Sequence, residues 1–516
     1  MPARTQRRRQ GREPGSGAAA ARRLQGQARQ PLPVAEPISA SWSRTLAAVV
    51  FLLSLALYLA TLAPTVTWRF SDFDSGELAS AAFSWGVPHP TGYPLWTLLG
   101  FLITRLPFGD PAGRTNVLSA LCGAGAVSLV SLTVLRLSST VAPTLSSRTR
   151  LIVAAGTGLA FATSPAFWSQ SILTETYSLH CLLIASIAWL LADRGSLSPA
   201  PFPARGGGAP KAAVREPRTT QSSDRGPRSS GGWLAFTCGL ALTNHSTAIF
   251  AVSAAAFVVL LRLREKREQR ALEPKLLLRN MVLFLLPLTL YLLIPWRAAQ
   301  HPAENWNDPE TLGRFLQLIS GSQYHYLVDW RDLAGILGSM PAIVRLLLGQ
   351  FAWWGLPLAT YGLLQLWEAD RAYAAFCLIV LAAFAAFTAV YRADGVARYL
   401  LSAYLMEALL IGCGLAAFAV DVGQWQARQR RNVSSEAILG GLVLLSIIPF
   451  AAYHFPSHNL RREHTAYNYA RDALSSTPSN GTIVTSTDEQ TFSLWYLQKV
   501  KGYRRDVHVR DSRLEP

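Results

Sequence analysis

Charge is what this sequence has least of. Asp, Glu, Lys and Arg make up only 15% of its 516 residues, half of the chain is hydrophobic, and the mean hydropathy is +0.22. That balance excludes a soluble chain with a charged shell and describes a polytopic membrane protein. Acids are scarcer than bases, 31 against 48, for a formal net charge of +17. The basic residues lie between apolar segments, with no nucleic-acid motif and no aromatic-interleaved groove, so they read as the positive-inside signature of cytoplasmic loops. Nucleic acid is excluded as a partner. Cysteine is also scarce: Cys122, Cys181, Cys238, Cys377 and Cys413 all fall inside apolar runs without C-x-x-C spacing. Neither a zinc site nor a disulfide framework follows from them, and they read as small buried hydrophobes.

The apolar runs set the organisation. Residues 1–44, rich in Arg, Gln, Ala, Pro and Gly, read as a disordered basic cytoplasmic tail. A run of spanning length follows at 45–62; the long tail before it and the many runs after it mark an uncleaved first helix, despite small residues at cleavage-like spacing. Further runs at 117–137, 151–162, 179–191, 233–243, 246–261, 281–296, 342–367, 372–390, 399–420 and 438–453 bring the expected total to about eleven transmembrane helices, an all-α membrane domain over 45–453. Its segment 66–114 forms a catalytic loop that includes two short amphipathic surface helices. Residues 193–232, full of Gly, Pro, Ser and Arg, read as a disordered cytoplasmic insert. Residues 454–516 alternate helical and strand patterns, which predicts a small α/β appendage with its Thr485–Glu489 turn at a ligand-facing strand end. With the N-terminus cytoplasmic, an odd number of crossings puts this appendage on the extracytoplasmic side.

The chemistry gathers after the first run, in D-F-D-S-G-E-L-A-S-A-A-F-S-W-G-V-P-H-P-T-G-Y-P. Asp72, Asp74 and Glu77 lie where a carboxylate is costly unless it faces water or acts on something. His89, between Pro88 and Pro90, and Tyr93 follow in a turn-rich run that cannot continue a helix. The alternation of loops places Glu175, Arg297, Asp308, Arg392 and Arg398 on the same side as these acids, and His245 with Asn244 at another far-side turn. A carboxylate there can deprotonate an attacking hydroxyl, or two can hold a divalent metal; arginines suit phosphate. Together they describe transfer of a group from a lipid phosphate to a hydroxyl. Plainer readings stand beside this one: Asp74 and Glu77 have capping-box spacing, the arginines are placed as interface anchors, and a transporter or lipid flippase would line its path with such groups. Against the last, no internal repeat or broken-helix pair is visible.

Taken in order, Asp74-Ser75-Gly76-Glu77-Leu78, the Gly86 to Leu95 run G-V-P-H-P-T-G-Y-P-L, Arg114-Thr115-Asn116, the Gly239 to Thr247 run G-L-A-L-T-N-H-S-T and Trp495-Tyr496-Leu497 resemble the GT-C glycosyltransferases. The likeness is closest to the transmembrane protein O-mannosyltransferases of the plexin and receptor-kinase type and their bacterial relatives. It implies a multi-helix membrane domain whose first extracytoplasmic loop carries an essential acid, a polyprenyl-phosphate sugar as donor, and transfer with inversion to a protein or glycan acceptor. Carried onto this chain, the acid is Asp74 or Glu77, with Asp74 the expected base and Glu77 its partner. His89, Tyr93, Glu175, His245, Arg297, Arg392 and Arg398 are the expected substrate contacts, with the lipid phosphate near one of the arginines. No residue is assigned to a metal, although some members of the superfamily use one. The expected location is a bacterial plasma membrane or the endoplasmic reticulum.

Overall fold

The computed structural model describes residues 38–71, 73–193, 230–265, 274–392, 395–429 and 435–513. The tail expected over 1–44 lies outside the described residues up to position 37, as does the expected insert from 194 to 229, and so does Asp72.

Helix α1 (Ala40–Thr61) enters the bundle and leads to a short surface turn, then α2 (Ser75–Ser84), α3 (Pro94–Thr104) and the long α4 (Pro111–Val141). Asp110 starts α4 by accepting from the Ala112 amide at 3.0 Å, with Pro111 at the first helical position. Helices α5 (Ser147–Ala162), α6 (Pro165–Gln170), α7 (Tyr177–Leu191), α8 (Ser230–Leu242) and α9 (Ala248–Glu265) follow. The next are α10 (Pro274–Leu288), continued through a tight turn into α11 (Leu293–Ala298), and α12 (Leu312–Ser320). The last of the bundle are α13 (Leu333–Gln350), α14 (Ala352–Ala369), α15 (Arg371–Val390), α16 (Leu401–Arg428) and α17 (Ser435–His458). Six helical stretches among the described residues are long and apolar enough to cross a membrane: α1, α4, 274–298, α13, α15 and 396–428. The stretches at α4 and α16 are each 72% buried and make the centre, whereas 274–298 is 11% buried and leaves its apolar side outward, as a lipid-facing helix does. Close packing at the centre depends on small residues: a Cβ on Gly362 would lie 1.9 Å from the Leu410 carbonyl oxygen, so only glycine lets α14 approach α16.

Two expectations need correction. The apolar run 342–367 is not one continuous helix: it breaks at Phe351-Ala352, where Ala352 has φ +57°. Gln350, at the end of α13, instead accepts from the Ala166 amide at 3.0 Å. Gly349-Gln350 before the break and Gly355 and Pro357 after it are the local signs, while the tie to Ala166 is to a residue far away in sequence. The second concerns α2, expected to lie along the membrane surface. Ser75 to Ala82 are all buried, because the appendage covers the side that would face out.

That appendage comprises α18 (Thr465–Ser476), β1 (Thr482–Thr485), α19 (Asp488–Trp495) and β2 (His508–Asp511), the strands pairing in parallel with Thr482 opposite His508 and Thr485 opposite Asp511. A helix between parallel strands is the connection such pairing requires. Its contact with α2 is backbone to backbone: a Cβ on Gly76 would meet the Phe492 carbonyl oxygen at 2.3 Å. Around this contact Trp68 Nε1 donates to Ser493 Oγ at 2.8 Å, Lys499 pairs with the buried Glu304 at 2.8 Å, and Lys501 pairs with Asp110 at 2.7 Å. Tyr496 donates to Asp110 and accepts from the Ala112 amide. The appendage thus clamps the start of α2 and the start of α4, the two elements that carry the first loop.

Candidate active site

Asp74 stands at the N-cap of α2, but its side chain makes no capping hydrogen bond. The loop is instead tied by Ser75, whose Oγ accepts from the Thr67 amide and donates to the Thr67 carbonyl at 3.0 Å. The side chain of half-buried Asp74 makes no hydrogen bond or ion pair among the described residues, and its charge is felt by His89, Glu175, Arg398, Tyr324 and Tyr399.

Glu77 is placed differently. Fully buried, it accepts from the His89 amide through Oε1 and from His89 Nδ1 through Oε2, both at 2.9 Å. The far ring nitrogen, Nε2, lies 3.1 Å from the Tyr93 hydroxyl, which itself donates to the Pro90 carbonyl at 2.9 Å. When the Tyr93 proton goes to Pro90, Nε2 donates to the Tyr93 hydroxyl, and with Nδ1 donating to Glu77 this is the arrangement of a doubly protonated ring. Burial opposes that charge, but the Glu77 and Asp74 carboxylates outweigh it and hold His89 at about 9. The expected partnership of Glu77 with Asp74 is therefore replaced by one with His89, twelve positions away around a turn set by Pro88 and Pro90.

A second acid–cation pair closes the other side. Glu175 is 3% exposed and its Oε1 lies 3.3 Å from Arg398 Nη1, while Oε2 accepts from the Thr176 amide at 3.2 Å. Burial pushes the Glu175 carboxyl up, against the pull of Arg398, to about 7. Arg398 also donates through Nη1 to the Ser71 carbonyl at 3.0 Å, but its buried Nε has no partner among the described residues. The other two expected arginines are engaged elsewhere. Arg297 donates to the Trp85 and Ser84 carbonyls and lies 5.0 Å over the Trp85 ring, capping the end of α2. Arg392 pairs with Asp332 at 2.9 Å on the exposed rim.

Between the two pairs runs a wall of rings. His245, held neutral because burial and the charges of His89 and Arg398 push it down to about 4, bonds Thr247 at 2.8 Å and stacks on Tyr93 at 5.7 Å. Tyr177 lies 5.3 Å from His245, Tyr399 lies 6.0 Å from Tyr177, and Tyr391 lies 5.1 Å from Tyr399. Behind them His180 bonds Ser402 at 3.0 Å and leaves Nδ1 unpaired among the described residues. Sequence reasoning missed Tyr177, His180, Tyr399 and Ser402. Helical spacing from Glu175 and adjacency to Arg398 were the available signals, and both are weak in apolar runs. As donors for a divalent metal the acids fit poorly, since Glu77 and Glu175 are each neutralised by a cation. Asp308, in a cluster with His301 and Glu310, is bound by Arg314 at 2.8 Å.

Comparison with known proteins follows the same residues. A family model described as the protein O-mannosyl-transferase TMEM260 N-terminal domain matches residues 74–269, opening at Asp74, and the TMEM260-associated domain 2 matches residues 466–514, the appendage. The chain is similar to the TMEM260 proteins over these two regions. It is 29% identical over 462 residues to protein O-mannosyl-transferase TMEM260 of Mus musculus, covering 86% of this chain and 59% of that protein. The Dictyostelium discoideum protein of the same name is 26% identical over 333 residues, covering 62% of this chain and 36% of that one. The chain thus spans less than two thirds of the length of both relatives. Among solved structures, ArnT from Cupriavidus metallidurans bound to undecaprenyl phosphate superposes with a TM-score of 0.55 at 12% identity over 92% of this chain and 91% of that one. The Archaeoglobus fulgidus oligosaccharyltransferase tethered to an acceptor peptide gives 0.50 at 12% identity, over 92% and 64%. These likenesses show a GT-C fold, and the resemblance read from the sequence stands.

Proposed function

We propose that this chain is a membrane glycosyltransferase that moves a sugar, mannose before others, from a polyprenyl phosphate to an acceptor hydroxyl, a protein Ser or Thr, with inversion. One observation carries the reading: of the three acids gathered here, Asp74 alone has no cation on it, and it stands within electrostatic reach of an arginine with an unengaged Nε. That pairing suits a base beside a phosphate. The polyprenyl donor and a protein acceptor come from the relatives, whose names and bound molecules they are.

In this reading the acceptor oxygen attacks the anomeric carbon on the face opposite the phosphate while Asp74 takes its proton. The bond from the anomeric carbon to the phosphate oxygen breaks with its electron pair left on that oxygen, and Arg398 meets the growing charge through its free Nε. His89, protonated on both nitrogens, has no lone pair and so cannot be the base; its fixed charge helps to hold the anionic donor. The rings of Tyr93, His245, Tyr177 and Tyr399 offer apolar faces to a sugar. Topology follows the sequence reading: about eleven crossings, the N-terminus cytoplasmic, and the site and appendage extracytoplasmic, in a plasma membrane or the endoplasmic reticulum. No resident metal is assigned.

The experiment is transfer of radiolabelled sugar from mannosyl and glucosyl polyprenyl phosphates to a Ser/Thr-bearing ectodomain by purified protein and Asp74→Asn. Transfer of mannose by wild type alone is the expected outcome. Equal activity in Asp74→Asn would remove the base from Asp74, and no transfer from either donor would remove the reading.

A further inference from the structure

The Arg398 guanidinium faces two claims. Glu175 already occupies it through Nη1, and Nε, in a group about nine-tenths buried, has no hydrogen-bond partner among the described residues. Glu175 cannot swing clear, because Oε2 is tied to the Thr176 amide and its backbone carbonyl is held by Trp96 Nε1 at 3.2 Å and Ser119 Oγ at 3.3 Å. A phosphate oxygen that completed the unpartnered Nε would therefore come to rest beside a fixed carboxylate, in surroundings too dry to screen the repulsion. The charged groups facing Glu175 are Arg398, Asp74 and His89, and the titratable Tyr93, Tyr177 and Tyr399 face it as well. With Glu175 ionised these make two negative charges against two positive, so an arriving phosphate leaves the group with an excess of negative charge.

We propose that Glu175 is a positioning residue that couples phosphate binding at Arg398 to uptake of one proton, retaining the lipid phosphate as an acid and expelling it as a carboxylate. This rests on the reading of Arg398 as the phosphate site. A proton from bulk water bonds to Oε1, the oxygen that faces Arg398, and Glu175 changes from a competing acceptor into a donor toward the phosphate. Loss of that proton restores the repulsion. The placement of Glu175 between its ionised and neutral forms near neutral pH, with a value of about 7, makes the exchange accessible. The effect is larger on the product than on the donor, because the donor is a phosphodiester with one charge and the released polyprenyl phosphate carries up to two. Glu175 therefore acts mainly on product release.

The test is calorimetric binding of a short-chain polyprenyl phosphate to the full-length protein in nanodiscs from pH 6 to 9, in buffers of different ionisation enthalpy, for wild type, Glu175→Gln and Glu175→Asp. Wild type is expected to take up close to one proton per phosphate bound at pH 8. Its affinity should fall by up to about tenfold per pH unit above neutrality relative to Glu175→Gln. Glu175→Gln should bind with no such uptake, more tightly than wild type at pH 8, and should show stronger product inhibition and a lower kcat with donor KM little changed; Glu175→Asp should restore the uptake. Uptake in Glu175→Gln equal to wild type, or none in wild type, would overturn the proposal while leaving the phosphate site intact. If wild type binds no polyprenyl phosphate at any pH, the failure belongs to the functional reading, and the proposal falls with it.

Discussion

Asp74 is flanked by two acid–cation pairs, and they are built to different degrees of completion. At Glu77 and His89 every strong donor has its acceptor: both carboxylate oxygens, the His89 amide and both ring nitrogens are engaged at 2.9 to 3.1 Å. At Glu175 and Arg398 the contact is a single one at 3.3 Å and a buried guanidinium nitrogen is left over. Burying a polar group without a partner costs about 1–3 kcal/mol, so the unfinished pair persists only where something else completes it. On the proposed reading the finished pair is scaffold that holds the shape of the loop, and the unfinished pair is where a ligand's charge would lie.

The largest effect expected on this comparison is at the acid between the pairs. Asp74→Asn should lower kcat for sugar transfer by about 10²–10⁴-fold, with thermal stability unchanged. Next comes the unfinished pair. Arg398→Ala removes the phosphate contact and leaves Glu175 buried without its cation, which should cost about 3–5 kcal/mol of stability. The double variant Arg398→Ala/Glu175→Gln should recover stability in a thermal melt without recovering transfer. Recovery of both would mean that Arg398 is scaffold like His89.

The finished pair should respond to pH as a structural element does. His89 has its folded value raised to about 9 from an ordinary 6.5, so its contribution to stability is complete below 6.5 and is lost as pH rises through 9. Melting temperature should therefore fall between pH 7 and 10 in wild type, and Glu77→Gln should be less stable at pH 7 and lose most of that slope. A smaller effect is expected at the clamp: Tyr496→Phe removes the hydrogen bonds to Asp110 and the Ala112 amide, for about 1–2 kcal/mol. Smallest of all is Arg392→Ala, an exposed pair with Asp332, which should change stability by no more than about 0.5 kcal/mol and leave transfer unchanged.

Much of this was legible in the residues. The acids after the first apolar run, the return of Glu175 to the same face and the helix–strand alternation of the appendage follow from local pattern, and local pattern is what the fold uses there. The choice among Arg297, Arg392 and Arg398 was not legible, because it depends on which carbonyls and carboxylates other loops bring to each guanidinium. Trp85 and Ser84 engage Arg297, Asp332 engages the exposed Arg392, and of the three Arg398 alone has a buried nitrogen without a partner among the described residues. The partnership of Glu77 was hidden for a similar reason: a capping-box spacing suggested a local role, while a proline-set turn carried His89 back to it. Likewise, the break at Ala352 follows Gly349-Gln350 inside an apolar run, and the bond from Gln350 to another helix could not be read from the sequence.

The most direct test of the central claim locates the phosphate. A polyprenyl phosphate analogue carrying a photoreactive diazirine next to its phosphate would be crosslinked to the full-length protein and the labelled residues identified by mass spectrometry. Labelling of Tyr399, Tyr177 or Phe73, the rings around Arg398, is the predicted result, and it should disappear in Arg398→Ala/Glu175→Gln. Labelling centred instead on Trp85 and Trp296 around Arg297, or on the rim at Arg392 and Asp332, would contradict the account.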